Sequence, residues 1–236
     1  MALTIEVCLT PELIHQHQLK GKIAVVVDVF RATSCIITAL AENVKAVYPV
    51  STVAECLTLG AQGMLTAGER GGIKIENFDL GNSPFEYMGK VAHKEVAIST
   101  TNGTLALSKS TDADQIIIGA FLNISATASY LLSQKLPLVI HCAGWKGTPN
   151  LEDTLYAGSL ISKLIQKSYS LSDDSAQMAY DLYQINKNDL IGAAEKSGHA
   201  QRLARFGVTK DIAFCIQNDY YPLVIGKMEG GKIIKI

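Results

Sequence analysis

The segment AVVVDVFRATS, residues 24–34, opens with four apolar residues, Ala24 to Val27, three of them β-branched. A continuous apolar run of this kind fits a strand buried on both faces of a sheet. Asp28 follows at the strand's end, then Arg31, Thr33 and Ser34, then a helix-like run from Cys35 to Leu40. One carboxylate, one guanidinium and two hydroxyls thus stand between a buried strand and a helix start. In open α/β sheets, ligands bind along that edge. A helix N-terminus adds free N–H groups and a positive dipole end, which suit phosphate or another anion. An aspartate beside it suits a divalent cation, or the part of a nucleophile. A plainer reading stands next to this one: Asp28 and Thr33 only cap the helix.

The neighbouring sequence repeats the strand–helix grammar. Residues 3–9 alternate as a strand, and Pro11 to Leu19 reads as a short helix. After the helix that ends near Asn43 come a strand over Lys45–Val50 and a helix over Thr52–Leu59, capped by Ser51 with Glu55 as its box partner. Met64–Ala67 is a short strand. Residues 66–84, TAGERGGIKIENFDLGNSP, lose all periodicity, and long irregular loops in compact domains are often functional. Strands follow at Glu95–Ser99, Gln115–Gly119 and Leu138–His141. Helices are expected at LALSK, from Asn123 or Ser125 to Leu132, from Leu151 to about Lys167, and over Asp173–Tyr183, Asp189–Lys196 and Ser197–Phe206. The chain then reads as two strands, Ala213–Ile216 and Leu223–Ile225, and a Gly230–Gly231 turn into KIIKI, the mark of a hairpin. The two runs AVVVDV to STVAECL and EVAIST to NISATASYL echo each other weakly, as α/β folds do by their regular order. The expected architecture is a single α/β domain, a mainly parallel layered sheet with helices on both faces, in one or two similar lobes.

Composition narrows the class. The chain has 236 residues, 48% of them hydrophobic, and a net charge of −1. A near-neutral chain argues against a nucleic-acid or membrane-surface binder. MALTIEVCLTPEL lacks a secretory leader's pattern, and no apolar stretch reaches spanning length. Five scattered cysteines without a CxxC pair suggest neither zinc nor disulfides, and reduced thiols point to the cytoplasm. High apolar content for the size suggests a homodimer.

Four polar segments follow buried strands: DVFRATS, GERGG, STTNGT and CAGWKGTPNLED. Parallel strands joined by crossovers carry such segments to one edge. They supply Asp28, Glu69, Glu152 and Asp153 as acids, Arg31, Arg70, Lys74 and Lys146 as cations, and Thr33, Ser34, Thr101, Asn102, Gly103 and Thr104 as neutral donors. Carboxylates hold Mg2+, and Mg2+ with arginine neutralises phosphate oxygens, so the set suits a phosphorylated ligand. Each part has a plainer explanation. Glu152 and Asp153 sit where the helix dipole alone favours acids. Glu69 and Arg70 read as a surface ion pair, TNGT as a tight turn, Ser83 as a turn cap and His141 as a core histidine. GxxxxGK[ST], GxGxxG and GxSxG are all absent. DVFRAT starts like the DxDx[TV] motif of haloacid-dehalogenase phosphatases, but Phe30 stands where the second aspartate belongs.

Taken in order, VVVDVFRATS, GERGG with NFDLGNSP, STTNGT, CAGWKG with LEDTLYAG, and SGHAQRLARFG with DIAFC resemble the ComB family across nearly the whole chain. The resemblance implies Mg2+-dependent hydrolysis of 2-phosphosulfolactate to sulfolactate and phosphate, a step that in methanogens leads to coenzyme M. The expected partner is therefore a small, highly anionic molecule. On this reading Asp28 is a Mg2+ ligand or the nucleophile. Glu152, Asp153 and Glu69 are further metal candidates, or activate water. Arg31 and the backbone near Thr33 and Ser34 hold the phosphoryl group, Thr101, Asn102 and Gly103 line the opposite wall, and Arg70 and Lys146 read the carboxylate and sulfonate. A phosphatase for another small phosphorylated acid, and a non-catalytic anion-binding domain, are the alternatives.

Overall fold

The computed structural model describes residues 3–236. The reading of the N-terminus begins at Met1 and Ala2, which lie outside the described residues. In chain order the elements are β1 (Thr4–Cys8), β2 (Ile23–Val27), α1 (Ala32–Ala41), β3 (Ala46–Pro49), α2 (Val53–Ala61), β4 (Leu65–Arg70), β5 (Ile73–Lys74), β6 (Glu95–Ser99), α3 (Gly103–Ser108), β7 (Gln115–Gly119), α4 (Ile124–Gln134), β8 (Leu138–Cys142), α5 (Leu151–Ile165), β9 (Ser170–Leu171), α6 (Asp174–Asn186), α7 (Leu190–Glu195), α8 (Gly198–Arg205), α9 (Thr209–Cys215), β10 (Gly226–Glu229) and β11 (Lys232–Lys235). Pro11–Gln16 is a 3-10 turn rather than the helix expected there.

All eleven strands belong to one sheet, ordered β5-β4-β6-β3-β11-β10-β7-β2-β8-β1-β9. The organising strand β2 sits between β7 and β8 and is buried along its whole length. Its side chains alternate between two cores. Ile23, Val25 and Val27 face the layer built by α4, α5 and α6, while Ala24 and Val26 face the layer of α1 and α3. That alternation is why the run is apolar at every position instead of every second one. The expected helices on both faces are therefore present.

The sheet consists of two parallel blocks, β4-β6-β3 and β7-β2-β8-β1-β9, joined by the C-terminal hairpin. Every link through the hairpin, β7 to β10, β10 to β11 and β11 to β3, is antiparallel. Three reversals leave the two blocks running in opposite directions. The expectation that one common sheet edge gathers the polar segments is thus corrected. The segments meet by a different route. Five steps separate β6 from β2, and at roughly 20–25° a step the sheet twist turns one about 100–125° relative to the other. Ends that would point apart in a flat sheet come together.

The C-terminus carries the other correction. Ala213–Ile216 is not a strand; it lies largely in α9, where Ile212, Phe214 and Cys215 are buried. Leu223–Ile225 leads into β10 without joining the ladder. A four-residue apolar run does not separate a strand from one buried helical turn. At α2 the cap is Thr52 rather than Ser51, with the reciprocal Thr52–Glu55 bonds of a capping box. No helix among the described residues is long and apolar enough to cross a membrane.

Helix α5 holds the block around β2 from behind and packs closely on α6. Gly158 makes the approach possible, because a Cβ there would run into the Ala179 carbonyl and stand 2.7 Å from Tyr183 Cβ. Gly158→Ala is therefore expected to cost about 1–3 kcal/mol, read as a lower urea midpoint at unchanged m-value. An unchanged midpoint would show that α6 is free to shift.

Candidate active site

A tight recess with a free volume of about 10 Å³ lies where the two blocks meet, lined by Asp28, Phe30, Arg31, Glu69, Gly72, Asn82, Asn102, Trp145, His199 and Leu203. Four of the residues expected at the site line it: Asp28, Arg31, Glu69 and Asn102. The others surround it, and their hydrogen bonds show what each does.

The turn after β2 is fixed from within. Thr33 N–H and Oγ1 both donate to the Asp28 carbonyl, at 3.1 and 2.9 Å, and Ser34 Oγ donates to the Val29 carbonyl at 2.9 Å. Both hydroxyls are buried in the start of α1. Thr33 and Ser34 thus hold the turn that aims Asp28; neither Asp28 nor Thr33 caps α1, whose N-cap is Arg31 without a side-chain cap bond. Asp153 acts from α5. Its two oxygens accept the Val29 N–H at 2.8 Å and the Gly144 N–H at 3.1 Å, tying the loop after β2 to the loop after β8. Glu69 does the same for the other block, accepting the Thr101 N–H at 2.7 Å and the Gly72 N–H at 2.6 Å. It is buried and makes no surface pair with Arg70. Arg70 instead donates to the Glu69 and Ser99 carbonyls and to Ser99 Oγ. Lys146 is exposed, with its ammonium 5.5 Å from the Trp145 ring. Lys74 binds the Asp79 carbonyl. Gly103 stands against Asp28: a Cβ there would lie 2.9 Å from Oδ2.

Arg31 is buried and paired. One guanidinium nitrogen lies 2.5 Å from Asp211 Oδ2, and another donates to the Gly72 carbonyl at 3.1 Å. Ser83 donates to the second Asp211 oxygen at 2.8 Å, so it serves this pair and makes no cap bond to the turn behind it. Glu152 is fully buried, with Oε1 2.8 Å from His199 Nδ1 and Oε2 without a partner. His199 in turn packs edge-on to Phe30 and lies 5.6 Å, centroid to centroid, from Trp145. His141, by contrast, is a core residue: its Nδ1 meets Ser110 Oγ at 2.8 Å, and burial pushes its pKa down to about 4.

Sequence reasoning left out Asn82, Trp145, His199 and Asp211. His199 and Asp211 fall within SGHAQRLARFG and DIAFC, whose order matched the family although nothing in their spacing marked chemistry.

Burial governs the charge state. Desolvation pushes the Asp28 pKa up to about 6; the nearby His199 opposes this, and the Glu69 and Glu152 carboxylates add to it. Asp153 is pushed well above the usual carboxylate range by burial first and by Glu152 and Asp28 next. Among the described residues, three potential ligand atoms come within 4.8 Å of one another only at Glu6, His17 and Asp173, on the β1 side of the sheet. There Lys22 pairs with Glu6, and Asp173 accepts the Val7 and Ala176 N–H groups.

A sequence model of the 2-phosphosulpholactate phosphatase family matches residues 8–229. The chain belongs to that family. Relatives named probable 2-phosphosulfolactate phosphatase include one from Caldanaerobacter subterraneus, 42% identical over 89% of this chain and 90% of its own. Another, from Pseudothermotoga lettingae, is 40% identical over 93% and 94%. A third, from a Nostoc species, is 35% identical over 94% and 95%. Within this ComB-family chain the matched region contains every residue of the recess.

Two outcomes follow from the buried charges. Removing the Asp211 carboxylate leaves the Arg31 guanidinium buried and unpaired, so Asp211→Ala should lower unfolding stability by about 3–5 kcal/mol; urea denaturation with an unchanged midpoint would refute the pairing. Asp28 is held above its unfolded pKa, so its ionisation opposes folding. The cost is absent below about pH 4, grows as the pH rises, and is complete above about pH 6. In metal-stripped protein, Asp28→Asn should gain on the order of 3 kcal/mol at about pH 8 and nothing at about pH 4. Calorimetric melting at both pH values checks this; an equal gain at both would discard it.

Proposed function

We propose that the chain hydrolyses 2-phosphosulfolactate to 3-sulfolactate and phosphate, with Mg2+ as cofactor, in sulfolactate or coenzyme M metabolism. The observation that carries this is the recess itself, in which two buried carboxylates, Asp28 and Glu69, face two carboxamides, Asn82 and Asn102, beside the start of α1. Family membership then supplies the substrate.

The donor set fits a hard cation. It is made of oxygens, and Asn82 Oδ1 is buried without a protein partner. Asp28 and Glu69, with Asn82, are the residues that would hold Mg2+; Glu152 and Asp153 stand behind them as buried supports. When bound, the ion supplies the positive charge that phosphoryl oxygens need in a site otherwise rich in acids.

The chain's own groups do the rest. Arg31, locked by Asp211 and the Gly72 carbonyl, presents the remaining edge of its guanidinium to the recess and orients the phosphoryl group. Asp28 is ionised at neutral pH, and Gly103 leaves room for its carboxylate. It serves either as the attacking carboxylate or as a support of the attacking water. His199, with Nδ1 anchored by Glu152, keeps Nε2 for the proton that the departing sulfolactate oxygen takes as its bond to phosphorus breaks.

Phosphate release from 2-phosphosulfolactate, with and without Mg2+, tests the reading. Turnover should require the metal and fall roughly 100- to 10,000-fold in Asp28→Asn. Folded wild-type protein that is silent on this ester but releases phosphate from another small acid ester would remove the substrate. Silence on all esters, with anion binding that survives EDTA, would leave a binding domain.

A further inference from the structure

The arginines in and around the recess are not equally free. Arg31 is neutralised by Asp211. Arg70 gives its donors to Ser99 and the Glu69 carbonyl. Arg202 differs from both. It lies on α8, one turn beyond His199, so both project from the same face of that helix. Its guanidinium carbon stands 4.4 Å from the centroid of the Trp145 ring, close enough for stacking and cation–π attraction. Trp145 and His199 both line the recess. Arg202 Nη2 is buried and, among the described residues, has no hydrogen-bond partner; no carboxylate lies within ion-pair distance of it there. A buried guanidinium nitrogen without an acceptor is costly to leave unmet. A planar fork held flat on an indole is preorganised for an oxyanion.

We propose that Arg202, supported by Trp145, reads the acid group that the substrate carries apart from its phosphate, a carboxylate or a sulfonate. This makes Arg202 a specificity residue, in place of the Arg70 and Lys146 expected from sequence. The inference rests on the phosphatase reading for its substrate. The acids Asp28 and Glu69 would repel a second anionic group, and Arg202, one turn from His199 on α8 and stacked on Trp145, supplies the counter-charge. Nothing covalent is asked of it. It fixes the end of the substrate that remains after the phosphoryl group leaves.

Two measurements test this, and they fail separately. In the first, kcat and KM are determined for wild type, Arg202→Gln and Arg202→Lys on four esters: 2-phosphosulfolactate, 2-phospholactate (carboxylate only), 2-sulfoethyl phosphate (sulfonate only) and ethyl phosphate (neither). The preference for 2-phosphosulfolactate over ethyl phosphate should fall roughly 10- to 100-fold in Arg202→Gln, mainly through KM. Arg202→Lys should recover only part, because an ammonium neither forks nor stacks as a guanidinium does. Whichever single-acid ester loses the same preference identifies the group. A uniform loss on all four esters, or no loss, overturns the proposal.

The second measurement needs no turnover. Trp145 is the only tryptophan in the chain, so its fluorescence reports on the stack. Sulfolactate should change it saturably in wild type, with the affinity roughly 10- to 100-fold weaker in Arg202→Gln. If 2-phosphosulfolactate is not hydrolysed but this response and its Arg202 dependence hold, the substrate assignment falls and the Arg202 site stands. A wild type that turns over 2-phosphosulfolactate and gives the same sulfolactate response with and without Arg202 leaves the function and discards the site.

Discussion

Two buried carboxylates keep the recess in shape by binding backbone. Asp153 holds the loops after β2 and β8 through the N–H groups of Val29 and Gly144. Glu69 holds the loops after β4 and β6 through the N–H groups of Gly72 and Thr101. Each clamp joins loops of a single parallel block, and polar contacts cross between them where Arg31 donates to the Gly72 carbonyl at 3.1 Å and the Lys146 N–H approaches Asn102 Oδ1 at 3.5 Å. Loops of this kind would otherwise leave backbone donors unmet at the rim of a buried site, where an unpaired N–H is expensive. A carboxyl group accepts two such donors at once, one on each oxygen, which explains why the scaffold places buried acids here.

That arrangement has an electrostatic consequence. Asp28, Glu69, Glu152 and Asp153 are all buried, and their mutual repulsion together with burial lifts Asp28 and Asp153. The positive charge available within the protein is mostly committed: Arg31 to Asp211, Arg70 to backbone and Ser99. The recess is therefore acidic at its floor although the chain as a whole is nearly neutral. A phosphate monoester approaches such a floor only when a cation accompanies it. The proposed metal therefore has the support of charge balance beside that of family likeness.

Much of this was legible in the sequence, and what was not has definite causes. β6 and β7 begin and end where the apolar runs Glu95–Ser99 and Gln115–Gly119 place them, because a fully buried strand is marked at every position. Asp28 was legible because it interrupts such a run. Thr33 and Ser34 show the limit: the same residue types serve as anion ligands and as turn caps, and only the hydrogen bonds separate the two. Ala213–Ile216 failed for want of length, since four apolar residues fill one helical turn as well as one strand. Asp211, Asn82 and His199 were invisible as chemistry because their partners Arg31, Glu152 and the recess lie far away along the chain. Sequence spacing reports a contact only when one element makes it.

The direction of the blocks was the least legible feature, and it shapes the site most. Each parallel block alone would place its loops at its own C-terminal edge, as open α/β sheets do. Joined directly in parallel, the two would share one edge and form a shallow crevice. The hairpin β10–β11 reverses one block, and the twist accumulated across it brings the two edges face to face. Asp28, His199, Glu69 and Asn102 then line one recess. A small ligand held between them is surrounded rather than laid on a surface, which excludes water and strengthens every charge interaction inside. In this fold the hairpin of residues 226–235, through the reversal it imposes, sets the geometry of a site to which it contributes no side chain.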